Sequence, residues 1–297
     1  MENKAKKGTA GINQQSFADK MKSYTKHPGS FVLLLLVLVA AVLTVGVLVF
    51  LVGYILIRGI PYLTPSLFAW TYNSENVSML PAMINTVFMT LLALLFSVPF
   101  GVGAAIYLVE YAKKGNKLVG IIRVTAETLS GIPSIIYGLF GMLFFVTALK
   151  WGYSMMAGAA TLAIMVLPVI MRTTEEALLC VPDSFREGSF GLGAGKLRTI
   201  FKIVLPSAIP GILSGIILAI GRIVGETAAL IYTSGTVASL AGFFDSGRTL
   251  AIHMYSLSRE GMHTNEAYAT AVVLLVVVLI INGISSLIAK KFEAPKN

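Results

Sequence analysis

Six long apolar runs punctuate the chain, at Phe31 to Ile57, Ile84 to Leu108, Thr128 to Leu149, Tyr153 to Met171, Ala208 to Thr233 and Ala267 to Ile288. A helix of about twenty mostly apolar residues spans a bilayer core. The pattern therefore predicts an all-α polytopic membrane protein with six transmembrane helices. The first run is too long for the core of a secretory leader, and no small-residue cleavage site follows it. It reads as a retained transmembrane anchor over residues 31–57, behind a Lys-rich cytoplasmic tail over residues 1–30. Residues 84–288 then form the main membrane domain.

Composition agrees with this pattern. Of 297 residues, 56% are apolar and 12% are charged, with a mean hydropathy of +0.81. An ordinary soluble domain carries roughly 25% charged residues, so a water-soluble enzyme is excluded. The net charge of +9 follows from topology. Eighteen of the 23 basic residues fall in the amino-terminal tail and the segments that share its side of the membrane, which are 113–123, 172–202 and 290–296. Positive charge is retained in cytoplasmic loops, so both termini are expected in the cytoplasm and no nucleic-acid partner is needed. The single cysteine, Cys180, and the three histidines His27, His253 and His263 offer no disulfide and no metal-ligand spacing. His253 and His263 read as solvated.

Two polar segments are long enough to carry a task, the inside loop 172–207 and the outside loop 234–266. A shorter outside loop, 58–83, holds Tyr62, Trp70 and Tyr72, which read as interfacial anchors. Within the inside loop, Gly191-Leu192-Gly193-Ala194-Gly195-Lys196 is not a phosphate-cradling loop. The glycine required five residues before the Gly-Lys pair is Phe190, and Leu197 follows the lysine. Phe185 and Phe190 interleave with Arg186 and Glu187, and Leu197, Ile200, Phe201 and Val204 recur at helical spacing. The segment predicts a short helix, a turn and an amphipathic helix, serving either as a protein-docking element or as a connector lying on the membrane surface.

The spacing decides in favour of docking through a resemblance. Glu187-Gly188-Ser189, three residues, Gly193, nine residues and Ile203-Val204-Leu205-Pro206 resemble the EAA motif of ABC-importer permeases, with Gly188 and Ser189 where that motif has two alanines. A closer resemblance covers most of the chain from the second span onward. Ser130-Gly131-Ile132-Pro133-Ser134-Ile135-Ile136-Tyr137-Gly138, Arg172 with Thr173-Thr174-Glu175-Glu176-Ala177, Gly221 to Ala228, and Thr249-Leu250-Ala251-Ile252-His253 are similar to segments of the PstA family of phosphate-importer permeases.

The resemblance implies a type I importer permease fold. It implies a coupling helix that seats Glu187, Gly193, Ile203, Leu205 and Pro206 against a cytoplasmic ATPase. It implies a PstC-like second permease chain, two copies of a PstB-like ATPase, a PstS-like external phosphate-binding protein and phosphate as substrate. No cofactor is expected on this chain, since ATP is used by the partner subunits, and the chain itself is not expected to be an enzyme.

Arg222 is the residue that physical chemistry singles out. In a span from Ala208 to Thr233 it lies about 21 Å from the cytoplasmic end at 1.5 Å per residue, too deep to reach water by snorkelling. An arginine at that depth costs at least about 2.5 to 3.5 kcal/mol, so it faces the bundle interior or a hydrated cavity with a partner. Glu226, one turn on, is the expected partner. The pair is either a packing ion pair or a polar step on an anion path, where the guanidinium suits phosphate oxygens and Glu226 keeps binding weak enough for release.

Arg123 and Glu127 repeat the four-residue spacing and read as a snorkelled interfacial pair. Arg172 is an anchor or an inner-gate contact. Ser130, Gly131, Pro133 and Ser134 break the third span, as Ser97, Pro99, Gly101 and Gly103 break the second, either to line a cavity or to let backbones pack closely. The stretch from Arg248 to Arg259 reads as a short outer helix that either faces an external protein or caps the bundle. Two other functions fit the same residues. One is an importer permease for another oxyanion or small solute, and the other is an ATP-independent, ion-coupled anion transporter.

Overall fold

A computed structural model describes residues 28–113 and 115–292. Most of the amino-terminal tail, residues 1–27, lies outside the described residues, as do His27 and Lys296. The chain divides into a unit ending at Leu56 and a second unit from Ile57 onward. The first unit is the bulk of one helix, α1 (Pro28–Gly59), whose large apolar side chains from Phe31 to Ile57 are nearly all exposed. A helix apolar all round has lipid as its natural solvent.

The second unit is a helical bundle. Its long elements are α2 (Leu80–Ile106), extended by a π-helical turn over Tyr107–Tyr111, and α5 (Met155–Leu179). Between them lie α3 (Lys117–Ser130) and α4 (Ser134–Gly141), the latter continued by a π-turn over Met142–Ala148. After α5 come α6 (Asp183–Gly191) and α7 (Lys196–Thr199), then a π-turn over Ile200–Val204 leading into α8 (Leu205–Val224). The short α9 (Ala228–Ile231), α10 (Leu250–Glu260) and α11 (Thr264–Phe292) complete the chain. Among the described residues five helices are long and apolar enough to cross a membrane, and six crossings result if α3 and α4 count as one.

Three expected spans differ in extent. The run from Thr128 to Leu149 is not one helix, because α3 and α4 meet at 100°. Pro133 lacks an amide to donate and disfavours helix at Ile132, so the chain turns at Gly131–Pro133. The fourth span runs to Leu179 rather than Met171, since Thr173 to Leu179 keep helical propensity and pack on their neighbours. The fifth begins earlier and stops at Val224 rather than Thr233. Gly225 closes it, and α9 starts afresh three residues later.

Three apolar clusters hold the second unit together. The central one joins α2, α4, α5, α8 and α9 through Met89, Tyr137, Leu162, Ile170, Ile223 and Leu230. One end is closed by Leu67, Met79, Leu250, Leu257 and Ala269, the other by Leu108, Val119, Leu178, Val204 and Ile212. Small residues set the helix spacing, as in membrane bundles generally. A Cβ on Gly138 would come within 2.7 Å of the Ala229 Cα, and one on Gly215 would strike the Thr173 side chain.

Candidate functional site

The break between α3 and α4 is braced by one side chain. Tyr137, 5% exposed, donates its hydroxyl to the Leu129 carbonyl at 2.8 Å, across the Ser130–Ser134 segment. That carbonyl belongs to the last turn of α3 and also accepts from the Ile132 amide at 3.1 Å, so the phenol reinforces the turn that ends the helix. The next residue, Gly138, packs on the backbone of Ala229, and the Ala229 amide donates to Glu226 Oε1 at 3.1 Å. The broken segment and Glu226 are thereby held in one neighbourhood, and the Arg222 charge reaches the Tyr137 phenol.

Arg222 and Glu226 do not form the expected pair. Glu226 is 9% exposed and turned to the Ala229 amide in α9, because the helix ends at Val224 and Gly225 takes the next residue off the turn. Arg222 sits half-buried in the last turn of α8 and makes no ion pair among the described residues. It is a cation at the end of α8 that no carboxylate pairs with among the described residues.

Arg172 lies elsewhere, in a five-residue charge cluster between α3 and α5. Its Nη1 donates to Glu127 at 3.3 Å and its Nε to Glu176 at 3.2 Å, while Arg123 pairs with Glu175. The expected Arg123–Glu127 pair is therefore replaced by two pairs that cross to the neighbouring helix. These groups line a cleft of about 250 Å³. An adjoining cleft of about 180 Å³ is shared by Arg172 and Ser130, so this cluster reaches the broken segment on one side.

The EAA-like loop folds as two legs around a turn at Gly193, whose φ of +79° favours glycine. Ser189, one departure from the motif, is buried and bonds the Thr199 hydroxyl at 2.8 Å, tying the legs together. Glu187, Gly193 and Pro206 are exposed, Ile203 and Leu205 half-buried. Beside them stand exposed apolar side chains, including Phe185, Phe190, Leu192, Leu197 and Phe201. Exposed apolar side chains in such number suit contact with a protein or with the membrane surface.

Sequence reasoning missed the residue that anchors this loop. Arg186 donates through Nε and Nη2 to Glu110 Oε1 at 3.0 and 2.8 Å, through Nη1 to the Val181 carbonyl at 2.8 Å and through Nη2 to the Leu178 carbonyl at 2.9 Å. Lys196 adds a cation over the Tyr111 ring at 4.7 Å. Both contacts fix the loop to the end of α2, and Arg186 fixes it to the end of α5 as well. Glu110, an acid just after an apolar run and within reach of a basic loop, was the available signal.

A family model described as the binding-protein-dependent transport system inner membrane component matches residues 97–294. The chain belongs to this family. It is 34% identical over 278 residues to the probable ABC transporter permease protein YqgI of Bacillus subtilis, covering 86% of this chain and 94% of that one. It is also 34% identical to the phosphate transport system permease protein PstA of Yersinia pestis, over 74% of this chain and 75% of that one. An alginate ABC transporter structure matches with a TM-score of 0.66 at 15% identity, covering 93% of this chain and 99% of that one. An inward-facing MetNI methionine transporter matches with 0.57 at 19% identity, covering 73% and 94%. The fold is that of an ABC importer permease, and the chain is a multi-pass membrane subunit of a binding-protein-dependent transport system.

At the end of the bundle away from the EAA-like loop, two further expectations change. His253 is 0% exposed rather than solvated, because α10 caps the bundle and buries Leu250, Ile252, His253 and Leu257. Tyr72 is not a free interfacial anchor, since Arg248 lies 4.5 Å over its ring. His263 keeps partial exposure, with Glu266 3.8 Å from Nδ1. Asn85 of α2 ties down the preceding loop, donating to the Ser239 and Arg248 carbonyls and accepting from the Ala241 amide.

Proposed function

We propose that this chain is the PstA-type permease subunit of an ATP-driven phosphate importer. The observation that carries the reading is Arg222, a half-buried guanidinium with no carboxylate partner among the described residues, beside the broken helix that Tyr137 braces. A guanidinium left unpaired at membrane depth is a site for a mobile anion, and its fork matches phosphate oxygens. Glu226, engaged with α9, leaves Arg222 open for that anion. The Ser130, Gly131, Pro133 and Ser134 backbone lines the path beside it, and Arg172 stands in the charge cluster further along.

The permease names among its relatives support phosphate as the cargo. In this reading the amino terminus is cytoplasmic and a PstS-like binding protein delivers phosphate to the far side. A PstB-like ATPase pair docks on Glu187, Gly193, Ile203, Leu205 and Pro206. Closure of that pair pulls the loop, and Arg186 passes the movement to α2 and α5. A PstC-like chain completes the pathway, and ATP hydrolysis takes place in the partner subunits.

The test is ATP-dependent uptake of labelled phosphate by proteoliposomes containing the assembled transporter, with sulfate and arsenate as competitors. Uptake that needs ATP and yields to arsenate but not sulfate supports the reading. Uptake by this chain alone without ATP contradicts it.

A further inference from the structure

At the amino end of α10, three buried side chains carry polar atoms that nothing among the described residues satisfies. Arg248 is 5% exposed, and its Nε and Nη2 have no hydrogen-bond partner. Thr249 is 2% exposed with an unpartnered hydroxyl, and His253 is 0% exposed with both ring nitrogens unbonded. The Val77 carbonyl faces that imidazole without closing a hydrogen bond.

Two of these groups, Arg248 and His253, meet on one ring. The Arg248 guanidinium lies 4.5 Å over the Tyr72 ring, the His253 ring meets the same ring edge-on at 6.2 Å, and the Arg248 charge bears on His253. Thr249 occupies the N-cap of the 11-residue α10 yet makes no capping bond to it. Its hydroxyl is turned away from the one task its position normally gives it.

A buried cation with no counter-charge is costly, and the face of one tyrosine offsets only part of that cost. Among the described residues no carboxylate pairs with Arg248. The unpaired Nε and Nη2 form one edge of the guanidinium, the edge that grips two oxygens of a tetrahedral oxyanion side by side. The N-terminus of α10 adds its dipole in the same sense, with its first amide, Leu250, donating to the Thr86 hydroxyl at 2.8 Å. His253 stays neutral, its pKa lowered to about 3 by burial and then by Arg248. A neutral imidazole keeps one nitrogen lone pair, which accepts the proton that phosphate carries at neutral pH and sulfate lacks.

We propose that Arg248, Thr249 and His253 form a binding site for a tetrahedral oxyanion at the end of the bundle opposite the EAA-like loop. The choice of inorganic phosphate as that oxyanion rests on the import reading. The site is a second anion station, separate from Arg222. Arg248 and Thr249 hold the oxygens, and His253 selects the protonated anion.

The experiment is equilibrium binding of radiolabelled inorganic phosphate to the full chain, isolated with its co-purifying subunits in lipid nanodiscs. Arg222→Gln silences the other station. The Arg222→Gln protein is expected to retain one saturable phosphate site that sulfate displaces poorly. Adding Thr249→Val, or Arg248→Lys in a separate protein, is expected to weaken that site about tenfold or more, as loss of a charge-assisted hydrogen bond does. Thr249→Val removes only a hydroxyl that has no partner in the fold, so its folded yield should equal that of its parent.

Absence of saturable phosphate binding in the Arg222→Gln protein overturns the site, as does binding indifferent to both added substitutions. Thr249-dependent binding in a transporter that imports no phosphate would keep the site and sink the import reading. Phosphate import without such binding would do the reverse.

Discussion

Arg186 and Glu110, 76 positions apart in the chain, meet through two nitrogens on one carboxylate oxygen, 15% and 9% exposed respectively. The same guanidinium holds the carbonyls that end α5. A loop tied this way moves with the membrane helices rather than apart from them. Removing one member of such a pair leaves the other charge buried, at about 3 to 5 kcal/mol. Arg186→Met and Glu110→Gln are expected each to lower thermal stability and to abolish substrate-stimulated ATP hydrolysis in the assembled transporter. Unchanged stimulation at normal assembly levels would rule this connection out.

Two glycines of the loop, Gly188 and Gly193, differ in what they do. Gly193 has a φ of +79° that costs roughly 1 to 2 kcal/mol with any Cβ. Gly188 lies inside α6, and a methyl added there would meet nothing within 4 Å. Gly193→Ala is expected to weaken ATPase co-purification, whereas Gly188→Ala should leave it intact and raise stability by about 0.5 to 1 kcal/mol. Co-purification and thermal melting of both variants decide the matter.

Gly215 lets α8 lie against Thr173 of α5, and an added methyl would collide with the threonine side chain. Gly215→Ala should cost about 1 to 3 kcal/mol, and Thr173→Ala in the same chain should restore part of it. Equal melting temperatures for the single and double variants would argue against this packing.

His253 supplies a pH signature. Its pKa falls from 6.5 to about 3 in the fold, through burial first and Arg248 second. The unfolded chain therefore binds a proton that the folded chain refuses. The stability tied to neutral His253 is fully present above pH ~6.5 and is lost at about 1.4 kcal/mol per pH unit as the pH drops toward ~3. Melting in phosphate-free buffer should show that slope in the wild type, and His253→Phe should flatten it.

The apolar runs made the membrane fold legible, and the spacing from Glu187 to Pro206 made the loop legible, because both depend on local periodicity. What eluded the sequence depends on chain direction at breaks and on contacts between distant segments. Arg222 and Glu226 have pairing distance only if the helix continues, and Gly225 ends it. Arg123 and Glu127 share a face that also meets α5, where Glu175 and Arg172 compete successfully for them. His253 reads as solvated in an outside loop, but α10 turns it inward against Tyr72. Glu110 and Arg186 belong to different segments, and no local pattern joins them.

In the proposed transport cycle Arg222 meets the transported anion while the loop around Glu187 meets the ATPase. Labelled-phosphate uptake at low external phosphate separates these two roles, in cells carrying the intact chain, Arg222→Gln or Glu187→Arg, with membrane level and ATPase association measured for each. Uptake is expected to be lost in both variants, with association kept in Arg222→Gln and lost in Glu187→Arg. Normal uptake by Arg222→Gln at normal membrane level would contradict the assignment of Arg222 to the anion path.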